Sequence, residues 1–343
     1  MSLSQYFSPG NVAVITGASS GIGLAMSKKC ALDFGMNVFC VDVDETELQT
    51  SVSSIQQQLS SSSTNKVFAI VADVSDFSAM TSSCDVVKKN GFGTVHFLFN
   101  NAATQVGGGA LSDVTSFDRV VNVNGMGVIY GCMAFVPMMK DGGMDGLIVN
   151  TGSKQGITMP PGNLAYNVSK SMVKTYTEGL EHELMKERLE NGGRLRSALL
   201  VPGWTNTSIA LKAMRNEQGE RFDIEQVFFH EAKPAKGAWM PAQVIDFLLS
   251  ELSASPDNFY VICPDNDVDR VSLNNLQLPV FTHDFCSYAY SFYLFLSFLK
   301  VTDNIRMTWT MQDITENRPP LSRWHPDYCD KFSEYLKQSK MQM

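Results

Sequence analysis

Seven short runs of continuous apolar residues punctuate the chain: "NVAVIT" (11–16), "NVFCVD" (37–42), "VFAIVAD" (67–73), "VHFLFN" (95–100), "GLIVNT" (146–151), "LRSALLV" (195–201) and "FYVIC" (259–263). They lack the strict apolar/polar alternation of a strand with one wet face. Continuous runs of this length suit strands buried on both sides, as in a parallel sheet. Between them lie stretches long enough for crossover helices, at 21–34, 46–59, 76–89, 115–140 and 164–190. Strand–helix alternation of this kind predicts an α/β fold, a doubly wound and mainly parallel seven-stranded sheet with helices on both faces. The serine run at 60–64 reads as a loop. Residues 204–240 are less regular and fit an insertion over the active-site edge.

The pattern breaks after residue 270. Residues 271–300 hold one acidic residue, Asp284, and one basic residue, Lys300, and end in the apolar run "FCSYAYSFYLFLSFL" (285–299). That run is shorter than the ~20 residues a membrane helix needs. The stretch opens with Val-Ser, closes with Lys and is rich in residues with pyrimidine-rich codons, the features of a translated intron. A real apolar helix, packed on the domain or at a membrane surface, is the alternative. The expected organisation is one domain over 1–270, in two halves at about 10–150 and about 151–270. An apolar insertion (271–300) and a polar extension (301–343) follow.

With 343 residues, 44% of them hydrophobic, the chain can bury a large core. Its net charge of −8, with no basic block, argues against a nucleic-acid partner. The seven cysteines show no C-x-x-C spacing, and Cys30, Cys40 and Cys132 lie among apolar or small neighbours. Buried free thiols in a reducing compartment follow. The five dispersed histidines form no zinc pattern. The N-terminal stretch lacks a basic n-region and an apolar h-region, so a cytoplasmic protein is expected.

The first run leads into "TGASSGIG" (16–23), where Gly17, Gly21 and Gly23 are spaced G-x-x-x-G-x-G. Between a strand and a helix, such glycines allow a tight turn and close backbone approach to a pyrophosphate. The second run ends in "VDVDE". Asp42, at the strand end, is a better candidate than Asp44 to accept hydrogen bonds from adenosine ribose hydroxyls. Its carboxylate repels a 2′-phosphate, and Ser20 supplies no cation to receive one, so NAD is expected over NADP. "LAYNVSK" (164–170) sets Tyr166 and Lys170 one helical turn apart. A cation there would lower the phenol pKa and make the tyrosine a general acid/base.

Together these residues resemble the short-chain dehydrogenases/reductases, over roughly residues 10–265. The resemblance implies a Rossmann-like sheet and a dinucleotide held by the "TGASSGIG" turn, including Ser19, Ser20 and Ile22. It implies that Asp73 and Val74 of "ADV" (72–74) border the adenine, and that Asn101 and Ala102 of "NNAA" border the cofactor. The family usually shows N-N-A-G, so Ala103 departs from its pattern. "PGWTNT" (202–207) resembles the turn at the nicotinamide end, with Pro202, Gly203, Thr205 and Thr207. The implied catalytic set is Asn124, Ser153, Tyr166 and Lys170; Asn122 is a competitor two residues early. Asn124 would hold a water linking Lys170 to solvent.

The expected reaction interconverts a secondary alcohol and a ketone, on an apolar substrate lined from 154–162 and 204–240, including Met159, Trp204 and Ile209. The family also implies a homodimer or homotetramer, pairing helices near 115–140 and 164–185. Two alternatives are a membrane-associated reductase anchored through 281–300 and a non-catalytic NAD-binding sensor or scaffold.

Overall fold

The structure is a computed structural model that describes residues 3–105, 111, 113–158, 162–203, 205–207, 238–255 and 258–264. The expectations for Met159, Trp204, Ile209, 271–300 and 301–343 lie outside the described residues.

Seven strands form one sheet: β1 (Val12–Thr16), β2 (Asn37–Asp42), β3 (Val67–Val71), β4 (Phe97–Asn100), β5 (Gly146–Thr151), β6 (Leu195–Val201) and β7 (Tyr260–Ile262). Their order is β3-β2-β1-β4-β5-β6-β7, and every pairing is parallel. Among the described residues the α-helices are α1 (Gly21–Lys28), α2 (Glu45–Gln58), α3 (Phe77–Lys89), α4 (Val114–Val121), α5 (Gly127–Asp141), α6 (Gln155–Thr158), α7 (Leu164–Asn191) and α8 (Pro241–Ala254).

Continuous apolar strands build two cores because successive side chains point to opposite faces. Ala13, Ile15, Val38, Cys40, Phe97 and Phe99 pack on one face against Met26 of α1, Leu48 and Ile55 of α2, and Leu248 of α8. Val12, Val14, Phe39, Val41, Leu98 and Ile148 face the other way, against Met80 and Val87 of α3 and Cys132 and Phe135 of α5. Caps mark the helix starts: Asp44 accepts from Glu47 N–H at 3.0 Å, Asp76 from Ser78 N–H at 2.8 Å, and Asp113 from Ser116 N–H at 2.9 Å. Among the described residues Cys30, Cys40, Cys84, Cys132 and Cys263 are free and buried.

Three expectations need correction. The run 115–140 is not one α-helix: α4 gives way to a π turn at Asn122–Met126 before α5. The stretch 21–34 likewise ends in a π turn, Lys29–Asp33. One inserted residue per turn keeps the apolar character, so periodicity does not reveal it. The strand expected over 67–73 stops at Val71, where Ala72 N–H bonds Asp42 O at 3.0 Å and the chain turns at Asp73. The composite helix Val114–Asp141 is long and apolar enough to cross a membrane by length and composition, its most apolar 18 residues having a mean hydropathy of 1.4. It is a core helix here, with Val128, Cys132, Phe135 and Met139 buried.

Candidate active site

After β1 the chain turns to one face of the sheet, and after β4 to the other. The divergence opens a crevice at the carboxyl ends of the strands, where ligands of such sheets bind. It is a cavity of about 810 Å³, within the range of ordinary ligand sites.

The glycine turn forms its floor. Gly17 has φ +65°, and a Cβ there would lie 2.8 Å from Ala102 Cα. Gly23 is needed for packing: a Cβ would sit 2.1 Å from the Gly17 carbonyl oxygen. Ser20 stands at the N-cap of α1, and its side chain makes no capping bond to the helix. The first-turn amides of α1, which have no intrahelical acceptors, therefore offer an anion site beside Ser19, Ser20, Gly21 and Ile22. Gly23 packs behind this wall.

Asp42 ends β2 at the cavity edge. One carboxylate oxygen accepts Ser19 N–H at 3.0 Å and the other accepts Asp44 N–H at 3.1 Å. Asp44 is engaged as the α2 cap, which leaves Asp42 as the acidic group held at the turn. Asp73 and Val74 also line the cavity, with Asp73 fixed by Ser75 N–H at 2.9 Å and Ser75 Oγ at 2.6 Å. Thr16 Oγ1 accepts the amides of Asn101 and Ala102 at 2.9 and 3.1 Å, tying the loop after β4 to β1. Pro202, Gly203, Thr205 and Thr207 close the cavity from beyond β6.

At the far end stand Ser153, Tyr166 and Lys170. Ser153 follows β5, and its hydroxyl hydrogen-bonds the Tyr166 phenol. Lys170 is 1% exposed. Its Nζ donates to Thr151 O at 2.8 Å and lies 5.7 Å from the centre of the Tyr166 ring.

The expected drop in the Tyr166 pKa is absent. Enclosure by protein pushes the phenol up, and the Ser153 bond pulls it only partly back. Lys170 does not offset this, and burial brings its own pKa down to about 7. An ammonium loses its hydration in such a site, and one carbonyl replaces little of it.

Asn124 lies in the π turn and is wholly buried. Its Oδ1 accepts Thr104 N–H at 2.7 Å, and its Nδ2 donates to Thr104 O at 2.9 Å and to Ser169 Oγ at 3.3 Å. The side chain pins the loop after β4 to α7 and does not line the cavity, whereas Asn122 does. A water linked to Lys170 would therefore have to use the Asn124 main chain.

Sequence reasoning missed Thr151, Arg119 and Val123, all at the cavity wall. Thr151 acts through a main-chain carbonyl, for which residue type gives no signal.

The family profile for short chain dehydrogenases matches residues 11–218, more than half of the chain. The chain belongs to the short-chain dehydrogenases/reductases. The SadH protein of Mycobacterium tuberculosis is 33% identical over 205 residues, 60% of this chain and 70% of that one. Levodione reductase of Leifsonia aquatica is 29% identical over 245 residues, covering 70% of this chain and 87% of that one. Among solved structures, a short-chain dehydrogenase/reductase from Burkholderia phymatum in complex with NAD has a TM-score of 0.66 at 28% identity. It covers 83% of this chain and 99% of its own. This short-chain dehydrogenase/reductase is thus an oxidoreductase of a family that binds NAD(P), on the seven-stranded sheet that the apolar runs predict.

Proposed function

We propose that the protein interconverts an alcohol and a ketone with NAD(H), using Tyr166 as general acid/base. One observation carries this: Ser153, Tyr166 and Lys170 converge at one end of a cavity whose other end is the glycine turn and Asp42. The bound nicotinamide supplies the hydride chemistry. Ser153 donates a hydrogen bond to the substrate oxygen as negative charge develops there. Tyr166 takes the alcohol proton in oxidation and returns it in reduction. Lys170 holds its ammonium near the phenol and within reach of a ribose hydroxyl. Because the phenol pKa is raised in the protein alone, the phenolate needed for oxidation depends on positive charge brought with the oxidised cofactor.

Asp42 supports NAD over NADP, since a carboxylate faces either a ribose hydroxyl or a doubly charged phosphate. The buried free thiols support a reducing, cytoplasmic setting. Met133 and Val168, 54% and 42% exposed on α5 and α7, support pairing of those helices in a homo-oligomer.

The test is a screen of ketones and secondary alcohols by NADH fluorescence, with Tyr166→Phe as control. The variant keeps the packed ring, so it should fold and bind NADH yet lose at least ~10³-fold in kcat. Near-normal turnover by Tyr166→Phe overturns the assignment.

A further inference from the structure

One side-chain amide, that of Asn101, links the glycine turn to the strand end that holds Lys170. In the sheet β1, β4 and β5 lie side by side, and β4 pairs with β5 as far as Asn100 and Asn150. The next residue, Asn101, turns toward β1, and its N–H donates to Thr16 Oγ1 at 2.9 Å. Thr151 thus extends one residue past the end of β4. Its ladder to β6 uses the peptide groups on either side of it, with Gly152 N–H donating to Leu200 O at 2.7 Å. Successive peptide groups of a strand serve opposite neighbours, so the Thr151 carbonyl faces the gap that β4 leaves. There it accepts Lys170 Nζ at 2.8 Å.

The Asn101 side chain spans that gap. Its Nδ2 donates to Thr16 O at 3.2 Å, and its Oδ1 accepts the Thr151 hydroxyl at 3.4 Å. A carbonyl can only accept, which fixes the amide nitrogen toward Thr16 and the oxygen toward Thr151. The amide is also wedged against the glycine turn: a Cβ on Gly23 would lie 2.9 Å from Asn101 Nδ2, and one on Gly17 3.1 Å. Thr16 and Thr151 are both buried, so the strut is anchored at each end.

We infer that Asn101 and the Thr151 hydroxyl are positioning groups for Lys170: they hold the carbonyl that directs its ammonium to the ribose beside the nicotinamide. The inference rests on the dehydrogenase reading above and adds two residues to it. Lysine carries its charge on a flexible four-carbon stem, so the charge needs a fixed partner to have a fixed place. An ammonium has three N–H donors; the Thr151 carbonyl takes one, and that bond sets where the other two point. A misplacement of about 1 Å is enough to forfeit a productive contact.

ADP and ADP-ribose separate this role from a general one in cofactor binding, and neither requires the substrate. Both carry adenosine and a pyrophosphate, and ADP-ribose adds the second ribose. Calorimetry on the full-length protein gives the ratio of their dissociation constants. ADP-ribose should bind ~10-fold more tightly than ADP, equivalent to about 1.4 kcal/mol. Lys170→Met should bring the two within about 2-fold. Thr151→Val, which exchanges the hydroxyl for a methyl group, should cut the ratio at least ~3-fold and leave ADP binding within about 2-fold. Thr151→Ser, which keeps the hydroxyl, should keep the ratio. Asn101→Ala should cut the ratio as Thr151→Val does, and it carries the test if Thr151→Val fails to fold. On a Lys170→Met background neither change should lower the ratio further.

No preference for ADP-ribose in the unaltered protein, a ratio unmoved by Thr151→Val and Asn101→Ala, or a further fall on the Lys170→Met background overturns the positioning role alone. Unaltered protein that binds neither nucleotide overturns the dehydrogenase reading and this inference with it.

Discussion

Lys170 is a cation kept where cations are poorly solvated. Its pKa falls from an ordinary 10.5 to about 7 through burial. Between those values the unfolded chain binds a proton that the folded chain does not. Stability should therefore rise with pH from about 7 to 10.5, and the full penalty remains below 7. A tenfold loss of proton affinity corresponds to about 1.4 kcal/mol, so the cost at neutral pH is on the order of a few kcal/mol. Lys170→Met should stabilise the cofactor-free protein in urea by about 1–3 kcal/mol at pH 7, flatten that pH slope and abolish turnover. A destabilised variant would contradict this account. Asp42→Ala should narrow or reverse the preference for NADH over NADPH, read as the ratio of their dissociation constants; tighter NADPH binding by the unaltered protein would refute the role given to Asp42. That Tyr166, Lys170 and Asp42 would meet at one cavity was legible from side chains at recognisable spacings, and Ser153 from the family resemblance. The Thr151 carbonyl, which anchors Lys170, was not.

At the scale of elements, the π turn at Asn122–Met126 swings Asn124 into contact with both Thr104 and Ser169. The loop after β4 and α7 are thereby joined through one amide. Asn124→Ala would leave the part-buried Thr104 N–H and carbonyl without that partner, at up to about 1 kcal/mol for each group. We expect a lower urea midpoint and a KM for cofactor raised about 10-fold, measured by steady-state kinetics. Unchanged cofactor KM would mean that the loop holds its place unaided. The strands at 146–151 and 195–201 were legible to the residue, because apolar runs end where the chain meets polar loop residues. The widened turn was not, since a long apolar helix tolerates an extra residue without changing its composition.

Across the whole molecule, doubly wound topology followed from alternating runs and helices, and the crevice followed from topology. One long-range contact had no sequence signature: His96, at the start of β4, uses Nδ1 to accept Val12 N–H at 3.1 Å. Burial lowers its pKa below the usual 6.5, because a charged ring would lose its hydration there. The unfolded chain takes up that proton first as pH falls through 6.5, so stability should decline from there downward. His96→Asn, which can still accept from Val12, should flatten the fall in urea midpoint between about pH 6.5 and 5. An unchanged acid limb would assign the decline to other groups.

All seven strands run the same way, so the two rims of the sheet are unlike. Ser153 and the turn residues Gly17 and Gly203 follow the carboxyl ends of β5, β1 and β6. His96, and the ion pair of Glu181 with Arg188 beside Ser197 and Leu195, sit at the amino-terminal rim. A strand's length of packed apolar side chains separates proton exchange with a ligand from the titration of His96 that weakens the fold in acid. Acid tolerance and the pH profile of turnover are therefore two adjustable properties of one sheet, each open to selection without disturbing the other.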